Sequence, residues 1–118
     1  MHNDIENLLR RLIGDDEEAA AEILERATTS TAPALLVAAA LITDEHFQHS
    51  GLLARAAKNA TTTRDRQLVA VAAAHLGGDE DLLDALVRDH LSDYPDNILA
   101  AWIAAKHTRP AHIVPFTS

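Results

Sequence analysis

Apolar residues in this chain return every three to four positions in short blocks, and each block opens on a helix-capping signal and closes on a break. That spacing is the period of an α-helix, in which positions i, i+3, i+4 and i+7 share a face. Ile5, Leu8, Leu9, Leu12 and Ile13 form the first stripe, behind Asn3 with Glu6 three residues on, a capping-box pattern. Gly14 is its expected stop. Asp15 with Glu18 opens a second helix with acid in its first turn, where the helix dipole favours negative charge, and Ala20, Ile23, Leu24 and Ala27 form its stripe. Pro33 is tolerated only near a helix start. Ala34 to Ile42 then has no polar face, so a third helix there should be central and covered.

Thr43 is the expected cap of a fourth helix, with Asp44 and Glu45 in its first turn, Leu53, Ala56, Ala57 and Ala60 on its stripe, and Gly51 as a weak point. Thr62 and Asp65 open a fifth helix carrying Leu68, Val71, Ala72, His75 and Leu76, and Gly77-Gly78 stops it. Asp79 opens a sixth, with Leu82, Leu83, Leu86, Val87, His90 and Leu91 at helical spacing. Tyr94-Pro95 closes that one, and Asp96 is the expected cap of a seventh whose buried side is Leu99, Trp102 and Ile103. No stretch alternates with period two between hairpin turns. The expectation is one all-α domain over residues 1–107, with about seven short antiparallel helices stacked as helical hairpins. Pro110 and Pro115 then imply an extended tail over residues 108–118, with Ile113, Val114 and Phe116 as an apolar strap.

Composition narrows the function classes. The 118 residues include 23 alanines and 16 leucines but no cysteine, so the chain is rich in helix formers and has no disulfide or thiolate chemistry. Aromatic residues make up 3% of it, too few for a platform that stacks single-stranded bases. The net charge of −8 gives no positive field for a phosphate backbone or an anionic membrane, so neither nucleic acid nor membrane is an expected partner. The longest apolar run, Ala32 to Ile42, falls well short of the ~20 residues that span a bilayer. Met1-His2-Asn3-Asp4 lacks the basic-then-apolar start of a secretion signal, so a cytoplasmic location is expected.

Residues 62–97 hold helix, Gly78-Asp79, helix and Pro95-Asp96-Asn97 in order, with 17 positions from Gly78 to Pro95. This unit resembles a tetratricopeptide repeat, of the divergent bacterial kind in which an arginine-rich start such as Arg64-Asp65-Arg66 precedes an apolar helix and a Gly-Asp turn. The resemblance implies an α-solenoid piece that binds other proteins through a concave face lined by the first helix of each hairpin. In that register Asp65, Leu68, Ala72 and His75 are the groove-lining candidates. Members that bind C-terminal carboxylates place a basic residue and an asparagine where this chain has Leu68 and Ala72, so that mode is not implied.

Chemistry-bearing clusters are few. His46 and His49, three apart on a helix, share a face and are able to hold one metal, although a solvated pair is the plainer reading. His75 and His90 interrupt the apolar stripes of two helices expected to pair. They are therefore either neutral core histidines or, if the two faces meet, a binding or catalytic pair. Asp15–Glu18 and Asp79–Asp84 are explained by capping, and Arg64 and Arg66 by ion pairing with Asp65. Neither a nucleophile elbow, a phosphate loop nor a dinucleotide fingerprint is present. The leading expectation is a helical-repeat adaptor without catalytic activity, cofactor or metal, binding a protein partner or itself as a homodimer. Ile98, Trp102, Ile113, Val114 and Phe116 are its interface candidates. The alternative is a histidine-based or metal-dependent helical enzyme, or an accessory subunit of a larger one.

Overall fold

The computed structural model describes the backbone of residues 2–43 and 46–113, and the side chains of residues 5–43 and 50–106. The described residues form seven α-helices and no strand: α1 (His2–Ile13), α2 (Glu17–Ala27), α3 (Pro33–Ile42), α4 (His46–Asn59), α5 (Thr63–Gly77), α6 (Glu80–Asp93) and α7 (Ile98–Ile113). The fold class is all-α. No described helix is long and apolar enough to cross a membrane.

Local chemistry explains where most helices begin. Thr62 accepts a hydrogen bond from the Asp65 N–H, and Asp79 accepts one from the Leu82 N–H, so both side chains satisfy first-turn donors as expected. Pro33 is the first residue of α3, where its missing N–H costs nothing. α4 runs through Gly51 without a break, while its expected first turn at Asp44 and Glu45 lies outside the described residues.

Three boundaries differ from expectation. Asp16, not Asp15, caps α2, with Oδ1 accepting from the N–H groups of Glu18 and Ala19. Asp15 instead takes a left-handed conformation, φ 67°, and closes α1 by donating to the Leu12 carbonyl while Asp16 donates to that of Arg11. This paired closure satisfies the last carbonyls of α1 and pushes the cap one residue along. Asn97, not Asp96, caps α7, because the turn from Tyr94 to Asn97 ends with the Asn97 N–H on the Tyr94 carbonyl. Finally, α7 continues through Pro110 to Ile113, where an extended tail is expected from residue 108. A proline inside a helix removes one ladder bond and crowds the carbonyl four residues back, at about 3 kcal/mol, but its fixed φ is itself helical, and the backbone of α7 stays helical through Pro110. Val114 and Phe116 lie outside the described residues, as does the Ile113 side chain.

Gly78 is a position where glycine itself is required. It ends α5 at φ 75°, its N–H on the His75 carbonyl and that of Asp79 on the Ala74 carbonyl. Gly78→Ala should destabilise the fold by about 1–2 kcal/mol, the cost of a left-handed β-carbon, although nothing lies near the added methyl. Gly77→Ala, inside the helix with equally open space, should stabilise by about 0.5–1 kcal/mol. Urea unfolding of the two variants checks the opposite signs.

The helices form two layers. α2, α4 and α6 pack mainly on their chain neighbours, whereas α1, α3, α5 and α7 also pack on one another: α1 on α3, α3 on α5, α5 on α7, and α7 on α1. The inner layer is therefore closed, and α7 is covered by α1 rather than left as a bare apolar end. α3 is central as expected, with Leu35 to Ala40 buried without interruption. Ala38, Ala39, Ala72 and Ala100 are all 0% exposed, so the alanines sit where helix axes approach.

Candidate functional site

The site is built on a polar knot in an otherwise aliphatic core. His90, in the last turn of α6, is fully buried with both ring nitrogens bonded. Nδ1 lies 2.9 Å from Gln67 Oε1 on α5, and Nε2 lies 2.9 Å from Asn97 Nδ2 at the start of α7. Asn97 Oδ1 is occupied by the N–H groups of Leu99 and Ala100, so its amide nitrogen faces the ring and donates to Nε2. Nδ1 then carries the proton and donates to Gln67. This is a neutral imidazole with every polar atom satisfied. Burial pushes its pKa below the ordinary histidine value, the Arg64 charge lowers it further, and Asp93 opposes both. Tyr94 stacks at a tilt on the ring, centroids 5.2 Å apart, with Arg64 above the Tyr94 ring at 5.9 Å.

One imidazole thus joins α5, α6 and the cap of α7. It is a framework device, and it fixes the wall of the cavity beside it. That cavity, about 530 Å³, opens at the end of the inner layer where all four helices begin. Its lining includes the buried Leu9, Leu68 and Leu99 and the half-buried Ile5, an apolar floor, together with Ala32–Ala34 and Ile98. Glu6, Arg64, Asp65 and Asp96 form a charged rim. Asn97, the cap that His90 holds, lines the same wall. Its size is that of pockets that receive a small ligand or a few side chains of a larger one.

Of the groove-lining candidates, Asp65 and Leu68 line this cavity together, with the interface candidate Ile98 beside them. Ala72 is 0% exposed and belongs to the core. His75 lines a smaller cavity of about 220 Å³ with Asp79, Glu80 and Lys106, at the other end of α5. The two histidines do not meet: His90 faces Gln67, and His75 lies roughly 12 Å of helix axis further along α5. α5 and α6 run antiparallel, so late residues on both fall at opposite ends of the hairpin. Trp102 is half-buried on the core, with the Lys106 ammonium 4.7 Å above its ring. The side chains of His46 and His49 lie outside the described residues. No group of three metal-ligating side chains occurs among the described ones.

Ile5, Arg64, Asp96 and Asn97 escaped the sequence reading as cavity residues, as did Gln67 as a partner of His90. Each stands in or beside the first turns of an odd-numbered helix, which is the signal that could have found them. Comparison with protein-family models, with curated proteins and with solved structures gives no match.

Proposed function

We propose that this chain is a protein-interaction module of helical-hairpin type, and that its docking site is the cavity at the head of α1, α3, α5 and α7. The observation that carries the reading is the meeting of four inner-helix first turns around one apolar floor with a charged rim. Such a surface suits an apolar side chain anchored at its centre with polar groups around it, the usual anatomy of a protein interface. The resemblance of residues 62–97 to a tetratricopeptide repeat supports the same reading, because Asp65 and Leu68 are groove positions in that register. His90 serves this function as a spacer and cap-holder rather than as a reacting group.

A photo-crosslinking amino acid placed at Asp96, on the cavity rim, tests the proposal in the native cell. Irradiation should join the chain to a second polypeptide from position 96 but not from Ala73, which is exposed on α5 away from the cavity. Equal adducts from both positions, or none from either, would overturn it.

A further inference from the structure

We propose that Asn97 is a two-position latch set by the proton on His90: beside the neutral ring its amide caps α7, and beside the protonated ring it turns over and frees the head of that helix. Its bearing on docking rests on the reading above, since Asn97, Ile98 and Leu99 all line the cavity. The neutral arrangement uses both ends of the amide. Oδ1 accepts from the Leu99 and Ala100 N–H groups at 3.2 and 3.4 Å, and Nδ2 donates to His90 Nε2 at 2.9 Å.

A second proton sets only one side of the ring against its neighbour. Nδ1 already donates to Gln67 Oε1 and goes on doing so, and His90 keeps its hold on α5. Nε2 changes from acceptor to donor and meets the Asn97 N–H₂. Turning the amide over brings Oδ1 to the new N–H, but Nδ2 then faces the Leu99 and Ala100 N–H groups, donor against donor. Asn97 serves the ring or the helix, not both. It is 5% exposed, Leu99 1% and Ala100 0%, so the conflict is shielded from bulk water while the wall is closed. The freed N–H groups regain acceptors when the first turn of α7 opens toward the cavity that Ile98 and Leu99 line. The groups around the ring set the pH at which this happens. Arg64 from α5 holds the proton off, Asp93 from α6 draws it on, Tyr94 from the turn stacks on the ring, and α7 presents the uncharged Asn97.

The test is an NMR titration of the full chain from neutral pH downward, following the His90 ring nitrogens and the Leu99 and Ala100 amides. Both amide protons should move upfield, as amides do on losing a hydrogen bond, with the same midpoint as the ring and below the ordinary histidine value of ~6.5. In Asn97→Asp a carboxylate accepts from the helix and from the charged ring together. The ring midpoint should then rise by about one pH unit or more, with no upfield movement of the two amides. His90→Gln keeps an acceptor for the Asn97 amide and does not titrate, so the acid movement should vanish. A ring that titrates without moving the amides, an unchanged midpoint in Asn97→Asp, or movement that persists in His90→Gln would each overturn the latch. So would loss of all folded resonances along with the ring titration, because acid would then melt the domain rather than release one cap. None of these readouts involves a partner, so the latch stands or falls apart from the docking reading, which the crosslinks from position 96 decide.

Discussion

His90→Leu is expected to cost about 2–4 kcal/mol at neutral pH, although leucine is close in volume and more apolar. The loss comes from the partners: the buried Asn97 Nδ2 is left with no group to meet it, at about 1–3 kcal/mol, and the half-buried Gln67 Oε1 loses a bond worth about 1 kcal/mol. Protonating His90 attacks the same arrangement. A proton on Nε2 would face the Asn97 N–H₂ donor at 2.9 Å and add charge to a buried ring. The sign follows from the lowered folded-state pKa. In the unfolded chain this imidazole takes up its proton near the ordinary value of ~6.5, whereas in the folded chain it resists until lower pH. The unfolded state therefore binds more protons in that window. The contribution is complete above pH ~6.5 and is lost as pH falls from there through the folded pKa. Arg64 and Tyr94 face the ring without opposing this, and Asp93 softens it. Urea unfolding of the unaltered chain and of His90→Leu at pH 7.5 and 5 checks both parts. The gap between them should narrow in acid, and a gap independent of pH would show that His90 is not held neutral.

Leu36→Ala should be the most damaging truncation in the chain's centre, at about 3–5 kcal/mol, set by lost transfer energy plus a cavity that cannot collapse. Leu36 is 0% exposed on α3, which packs on α1, α2, α4 and α5 at once. The residues that share its face on α3, Ala39 and Ala40, have no longer side chain to swing into the gap. Domains have about 5–15 kcal/mol in hand, so the midpoint of urea unfolding should fall by about a fifth or more. Leu24→Ala, at 40% exposure on α2, should change it by less than about 1 kcal/mol. A comparable loss in both variants would mean that α3 is not the packing centre.

The helices themselves were readable because their signals are local. Thr62, Pro33 and Asp79 act within one turn of where they stand, and the stripe of Leu68, Val71 and Ala72 marks a buried face whatever it packs on. The shifted caps show where locality fails. Asp15 and Asp16 are equivalent as letters, and only the hydrogen bonds that close α1 select which of them caps α2. The same holds for Asp96 and Asn97, where the Tyr94–Asn97 turn places Asn97 at the cap with its amide on His90.

His90 and His75 illustrate the larger gap. Both interrupt an apolar stripe, and periodicity treats them alike. Antiparallel pairing then puts one against Gln67 and Asn97, fully buried, and the other at the far end beside Asp79. The amino-acid sequence by itself determined that this chain is helical and where most helices begin, because both follow from interactions within a few residues. The tertiary structure alone decided that α1 closes the inner layer against α7, that four helix starts surround one cavity, and that a single imidazole holds its wall. Those facts depend on contacts between residues far apart in the chain, whose pairing no local pattern specifies.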